Sequence, residues 1–418
     1  MKLFKIFLLS LCCAGIAFAA TPHVFNSGLM LGSSGADVKA LQKFLNMAGF
    51  PVAEQGPGSR HSETSYFGLS TQKALTQFQT VNGLPPDGRL SSTTQSVINS
   101  LQIKMNIIAT SSNAIFSYPH GVTMIGDTMV IGTVKENPGH IVIFTNPNDL
   151  TKYIATTTPG FMNLADVDYD AAHNKLYFVS SRTSNNHLEI LSVDPNTLAW
   201  MPVFEFTGVS GVGYSTLETD GSYVYAATQS VPAYMLKIRI SDWSLAGSHV
   251  FPSGPSFHSS ALHKYSNRTE WYVATFSEPT YIYKVRTDDF SYTSLKIPQS
   301  AYITNDIYFR PVDDAGGLLY APSETNFGID VVNTATMTAV HYPAPASYGL
   351  FSDGNDIYSL DPFNHQIIQY AGFNIQKPIF VQSKVRYQFN KWFKTSNGNT
   401  YFTPFSSPSA LYQYSAGR

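Results

Sequence analysis

A chain of 418 residues is too long for one ordinary hydrophobic core and points to two or three domains. Apolar residues reach 43% and aromatics 14%, while charged residues are only 13%, a balance that favours β structure over helix. A formal charge of −2, with no Lys/Arg cluster, gives no footing to nucleic-acid binding.

The first residues, "MKLFKIFLLSLCCAGIAFAA", have the form of a secretory signal over 1–19. Lys2 and Lys5 make the charged region, Ile6 to Ile16 is apolar but too short to span a bilayer, and Ala17-Phe18-Ala19 fits small-x-small cleavage. Cleavage would take the net charge from −2 to −4 and remove both cysteines, leaving no disulfide, thiolate metal site or cysteine nucleophile. A lipoprotein reading would need Cys12 or Cys13, but bulky Leu11 precedes the first. No later run is long enough for a membrane span, so a secreted, periplasmic or wall-associated protein is expected.

Residues 28–101 read as three short helices. Val38, Leu41, Phe44, Leu45 and Ala48 make one stripe, with Ser34 or Asp37 at its start and Gly49 at its end. Ser70 is the expected N-cap of the second, with Ala74, Leu75, Phe78 and Val81 inward and Asn82-Gly83 as the stop. Ser91 or Ser92 opens the third, with Val97, Ile98 and Leu101 inward. Such a bundle of roughly 70 residues is marginal but feasible.

This stretch resembles the peptidoglycan-binding domain found beside many cell-wall hydrolases. The pattern runs through Leu31, Gly32, Gly35, Val38, Leu41-Gln42, Leu45 and Gly49, then Phe67-Gly68, Thr71, Ala74, Phe78-Gln79, Gly83-Leu84, Asp87-Gly88 and Thr94. It departs at "PVAEQGPGSRHSETSY", which is longer and more polar than the usual connection, and at Ser91, where glycine is common. The resemblance implies peptidoglycan as partner. Gln42, Tyr66 and Gln79 are the candidates for direct contact, beside the reading that they specify the fold as Leu41, Ala74 and Phe78 do. A helical adaptor that binds something else is the alternative for the whole domain.

From 105 to 418 the chain repeats. Strand-like cores recur as "MVIGTV", "LYFVSS", "VYAATQ", "WYVATF", "LLYAPS", "IYSLDP" and "TYFTPF", and their tyrosines at 177, 225, 272, 320, 358 and 401 lie 48, 47, 48, 38 and 43 apart. Asp220-Gly221, Gly316-Gly317, Asp353-Gly354 and Asn397-Gly398 precede several of them as hairpin turns. A second marker, "NPNDL", "DPNTL", "SDWSL", "RTDDF" and "NTATM", recurs at 48, 47, 45 and 47. Several strands per 40–50 residues without helical periodicity predict a β-propeller, most simply of seven blades, with six or eight compatible. The repeat is similar to those of YWTD-type and YVTN-type propellers. The last repeat is short of a blade, so Met105–Ser112 is expected to supply its missing strand.

Counting back from each core places His120, Asn163, Ser215, His258, Asn305, Tyr348 and Trp392 at the channel mouth. Three readings stay open: mouth residues around a water-filled channel, a site for a sugar, peptide or small polar ligand, and acid–base or metal use of the two His. Asp166, Asp168 and Asp170 are spaced for calcium but lack the loop glycine and closing Glu, so hairpin-turn roles are expected instead. No GxSxG or HExxH occurs, and no catalytic residue, metal or cofactor is assigned. The sequence thus points to a wall-anchored binding protein whose propeller presents a face to an unidentified protein, glycan or small molecule. A wall-targeted propeller lyase or hydrolase and a structural scaffold for an envelope complex are the alternatives.

Overall fold

A computed structural model of the chain describes residues 23–415 apart from 48–49, 54, 60–61, 102–103, 111–117, 147–151, 210–212, 253–255, 298–306, 324–327, 344–348, 353–356, 362–365, 371–372, 374–377, 383–388, 395–399 and 405–409. At 47, 81, 100–101, 104–110, 343, 349, 351, 360–361, 366–367, 369 and 378–415 it describes backbone alone. The expected leader, Ala48 and Gly49, Asn305, Tyr348, and the expected turns at 353–354 and 397–398 therefore lie outside the described residues.

Three helices come first: α1 (Ala36–Met47), α2 (Leu69–Val81) and α3 (Ser92–Leu101). Val38, Leu41, Phe44, Leu45, Ala74, Leu75, Phe78 and Ile98 fill one core with Phe25, Phe50, Val52 and Phe67. Gly68, not Ser70, is the N-cap of α2; no side chain caps that end, because Ser70 already lies inside the first turn. Asn82 closes α2 as expected, its side-chain amide donating to the Phe78 carbonyl at 2.8 Å. Ser91 caps α3, its hydroxyl accepting from Thr94 N–H at 3.4 Å. The long polar connection is tied back to α1 by Asn46, which donates to the Gly58 carbonyl and accepts from Val52 N–H at 2.9 and 2.8 Å.

Among the described residues twenty-eight strands follow. β1 (Lys104–Thr110) leads into β2 (Pro119–Ile125), β3 (Thr128–Thr133), β4 (Gly139–Phe144) and β5 (Tyr153–Thr158). Next come β6 (Phe161–Asp170), β7 (Lys175–Arg182), β8 (Leu188–Val193), β9 (Trp200–Phe206), β10 (Thr216–Thr219), β11 (Tyr223–Ala227), β12 (Ala233–Arg239) and β13 (Ser244–Phe251). Then come β14 (Ser256–Lys264), β15 (Thr269–Phe276), β16 (Thr280–Arg286), β17 (Tyr292–Ile297), β18 (Tyr308–Asp313), β19 (Gly316–Ser323), β20 (Gly328–Asn333) and β21 (Thr338–Pro343). The last are β22 (Gly349–Ser352), β23 (Ile357–Asp361), β24 (Gln366–Tyr370), β25 (Pro378–Gln382), β26 (Phe389–Lys394), β27 (Thr400–Pro404) and β28 (Ala410–Ser415).

They form seven four-stranded antiparallel sheets, six from consecutive strands and one ordered β1-β28-β27-β26. The first strands β2, β6, β10, β14, β18, β22 and β26 lie each against the next, and β26 returns to β2. This is a seven-bladed propeller closed by the predicted pairing, with Met105 opposite Tyr414 and Ile107 opposite Tyr412. Among the described residues no helix is long and apolar enough to cross a membrane.

Every sequence core falls on a second strand, from β3 to β27. Both faces of that strand are covered by neighbouring blades, so it reads as a continuous apolar run instead of alternating; β15 is buried at six successive positions. In three blades the repeated tyrosine reaches an acid of its own blade: Tyr177 donates to Asp170 at 3.3 Å, Tyr225 to Asp220 at 2.9 Å and Tyr272 to Glu270 at 2.6 Å. The second marker is the hairpin between third and fourth strands. In it Leu198, Trp243, Phe290 and Met337 take left-handed φ of 57°, 53°, 59° and 52°. Trp243 uses this to set its ring 5.2 Å from Tyr177 of the preceding blade. Asp220-Gly221 is the expected turn, with Gly221 at φ 84°. Gly316 and Gly317 instead open β19, where a Cβ on Gly317 would come within 2.2 Å of the Arg310 carbonyl oxygen. Lys237 and Lys284 stitch blades together by donating to the Thr287 and Thr334 carbonyls of the next repeat.

Each first strand begins on one face of the ring and ends on the other. β1 is antiparallel to β28 and is followed by β2, so its last residue, Thr110, lies on the face where first strands begin. Lys104 is on the opposite face, and there the helical segment joins the ring. A chain starting at Asn113 lacks β1 and should melt below one starting at Lys104, by several kcal/mol at about 1 kcal/mol per ladder hydrogen bond. It should also aggregate through the bared β28 edge. Calorimetry and light scattering check this; coincident melts would mean that closure adds no stability.

Candidate functional site

Four inner strands enclose a cavity of about 170 Å³. β2 gives His120, β6 gives Asp166 and Asp168, β10 gives Thr216 and Glu218 with Ser215 just before it, and β14 gives His258 and Ser260. His120 Nδ1 lies 2.5 Å from the Ala165 carbonyl oxygen. A carbonyl can only accept, so Nδ1 carries the hydrogen. Tyr214 stacks on His120 with centroids 4.8 Å apart, and the His258 ring stands 6.1 Å from both.

The carboxylates bridge blades. Asp166 accepts from the Thr216 hydroxyl and Leu217 N–H at 2.8 and 3.0 Å, and Asp168 accepts from Thr219 N–H at 2.9 Å. The Ser260 hydroxyl lies 2.7 Å from that of Thr216 and donates to Glu218 at 3.1 Å. Burial pushes the Asp168 carboxyl up to about 6, and the charges of Asp166 and Asp170 add to the shift. Among the described residues no lysine or arginine lines the cavity. Among the described residues no three His, Cys, Asp or Glu side chains group as metal ligands.

Of the seven expected mouth residues, His120, Ser215 and His258 come together here. Asn163 does not: it sits in the β6 irregularity between Met162 and Asp166, at φ 52°, with its side chain accepting from Lys135 N–H and donating to Ser181. Trp392 lies on the innermost strand β26, opposite Phe402. The hairpin-turn reading holds for Asp170, which accepts from Ala172 N–H at 2.9 Å. It is corrected for Asp166 and Asp168, which lie within β6 and face the cavity. Sequence reasoning missed these two as site residues, together with Glu218, Ser260 and Tyr214.

In the helical segment Gln42 and Gln79 are 1% and 0% exposed. Gln42 donates to the Tyr66 carbonyl and the Thr71 hydroxyl at 2.8 and 2.9 Å and accepts from Thr64 N–H at 2.7 Å. Gln79 donates to Asp87, the Arg89 carbonyl and Thr94 at 2.8, 2.8 and 3.1 Å and accepts from Gly88 N–H at 2.8 Å. Each glutamine thus ties its own helix to the first turn of the next and to the loop before it. Tyr66 differs: it is 58% exposed, near Leu69 at 71% and Leu31 at 46%.

Residues 34–98 match the family described as "Putative peptidoglycan binding domain". No curated protein matches the chain. Among solved structures, the β-propeller domain of the Trilobed protease from Pyrococcus furiosus is 11% identical over 72% of this chain and 94% of that one, at a TM-score of 0.45. A chain of the Nidogen/Laminin complex is 12% identical over 59% and 89%, at 0.41. A chain of the complex of BBS1N with ARL6DN is 8% identical over 76% and 98%, at 0.53. At such identities these are likenesses of fold alone.

Two outcomes follow from this geometry. Replacing Gln79 by Met strands the Gly88 N–H and the Arg89 carbonyl, and should cost the peptidoglycan-binding domain roughly 2–3 kcal/mol in urea unfolding. The Asp168 carboxyl titrates at about 6 in the fold against 3.8 unperturbed, so its stabilising contribution is complete below about pH 4 and is lost as pH rises through 6. It shares this cavity with Asp166, Glu218, His120 and His258, and Asp170 adds its charge from the same strand. Asp168→Asn should therefore gain on the wild type between pH 4 and 7, by at most ~3 kcal/mol; parallel stability–pH curves would contradict it.

Proposed function

We propose that this is an exported, wall-associated binding protein. Its peptidoglycan-binding domain holds the propeller at the wall, and the inner-strand cavity takes a small polar ligand. The observation that carries this is the family match at 34–98 followed, two residues after α3, by the strand that closes the propeller. The domain's contact with peptidoglycan is assigned to the exposed surface of Tyr66, Leu69 and Leu31, because Gln42 and Gln79 are used up inside. The Tyr66 ring lies over Gly68 at the uncapped start of α2, where a Cβ would sit 3.6 Å from it. An aromatic face beside free backbone N–H groups suits the apolar and carbonyl-bearing surface of a glycan–peptide polymer.

The chain meets β1 on the ring face opposite to that where the first strands begin, and His120, Ser215 and His258 lie near those beginnings. That arrangement suits a protein that is held on one side and reads a ligand on the other. The closeness of His120 and His258 favours a second reading, a wall-targeted lyase or hydrolase. Release of soluble fragments from peptidoglycan by the purified chain, lost in His258→Ala, would decide for it.

Sedimentation with purified peptidoglycan tests the tether. Residues 20–103 should co-sediment and residues 104–418 should stay in the supernatant. In the full chain, Tyr66→Ala and Leu69→Ser should each weaken retention about fivefold or more, the weight of one contact above ~1 kcal/mol. Folded Gln79→Met should be retained as wild type. Retention of the propeller fragment alone would sink the proposal.

A further inference from the structure

We infer that Asp166 and Glu218 share one proton along a wire of two hydroxyls, and so form an acid–base pair in the propeller cavity. The wire is a chain of four oxygens that passes from β6 to β10, to β14 and back to β10. Asp166 Oδ2 lies 2.8 Å from Thr216 Oγ1, Thr216 Oγ1 lies 2.7 Å from Ser260 Oγ, and Ser260 Oγ lies 3.1 Å from Glu218 Oε1. The first two are ordinary O–H···O separations and the third is slightly longer. Each contact needs a hydrogen. Thr216 and Ser260 carry one hydroxyl hydrogen apiece, and an ionised carboxylate carries none. With both carboxyls ionised, Thr216 donates to Asp166 and Ser260 to Glu218. The two hydroxyl oxygens then face each other at 2.7 Å with no hydrogen between them. Turning either hydroxyl to the middle contact only moves the deficit to a carboxylate.

A single proton on either carboxyl closes the count. Glu218 O–H then donates to Ser260, Ser260 O–H to Thr216 and Thr216 O–H to Asp166, or the same three bonds run in reverse. Reversal carries the proton from one carboxyl to the other, with no heavy atom displaced and no charge gained or lost. Asp166, Asp168 and Glu218 line one space of about 170 Å³, where His120 and His258 are the other titratable side chains. Carboxyls crowded together and withdrawn from water resist full ionisation, and strongly interacting neighbours take up a proton as a pair. The count concerns the chain of oxygens alone. It holds for either charge of His120 and His258, and whatever else the second Glu218 oxygen meets. Nor does it depend on what the cavity binds, so its failure would leave the ligand reading untouched. What it adds is chemistry: one carboxyl can give a proton while the other takes one, without either histidine.

Infrared spectroscopy of the full chain in heavy water at neutral pH tests this through the carbonyl stretch of a protonated carboxyl. Wild type should show that band at the strength of a single carboxyl per chain, beyond the small share of Asp168, which titrates at about 6. Glu218→Gln brings the third hydrogen on its amide nitrogen. Thr216→Val removes the middle contact while Ser260 keeps its bond to Glu218. Each should therefore abolish the band, an effect that a merely structural role for these side chains would not produce. Circular dichroism shows whether each variant folds; if one does not, the other decides, and wild type decides alone if neither does. Absence of the band from wild type, or its retention in either folded variant, would overturn the inference.

Discussion

The pairing of β1 with β28 makes this chain a ring. Without it, six blades made of consecutive strands would be followed by three strands with an open edge. The residues that complete the seventh blade are separated from their partners by almost the whole propeller, so closure fixes the longest loop in the molecule at once. The cavity depends on that closure, because β2 and β26 meet only when the first and last repeats are brought together. His120 sits on β2, so one wall of the site belongs to the blade held in place by the closing sheet.

The inner strands are held to one another by side chains, since strands of adjacent blades share no ladder. Asp166 and Asp168 reach from β6 to the backbone of β10, and Ser260 reaches from β14 to Glu218. Charge-assisted bonds of this kind are individually stronger than neutral ones. They also concentrate negative charge where a ring of seven strands leaves a space. The carboxylates therefore clamp the blades and at the same time give the cavity they line its charge. The raised Asp168 carboxyl records the tension between the two roles, since burial disfavours the charge that the clamp uses.

The blades were legible in the sequence because their markers are local. A second strand buried on both faces must be apolar throughout, and a hairpin with a fixed backbone must repeat its turn residues. The site was legible only in part. Counting back from each core found His120, Ser215 and His258, although β2 and β14 are themselves shifted by one residue at His120 and His258. It failed at β6, where the irregularity between Met162 and Asp166 throws Asn163 out of the channel and hands its place to two aspartates. A register slip of this kind leaves no mark in composition or period. The glutamines failed for a different reason. Gln42 and Gln79 look like surface polar residues until their partners, distant in sequence, are seen to enclose them.

That enclosure explains why so small a domain holds its shape. Its apolar core is modest, and a bundle of this size gains little margin from burial alone. Gln42 and Gln79 add what burial cannot: each fixes the loop that follows its own helix and the first turn of the next, one to Thr71 and the other to Thr94. The two devices are copies of one another along the chain, which is why the Leu-Gln and Phe-Gln pairs stand out in the pattern. A motif position that is spent inside the fold cannot also grip a polymer outside it. The most recognisable letters of the domain thus specify its scaffold. What the scaffold leaves exposed is residues such as Tyr66 and Leu69, whose side chains it does not enclose.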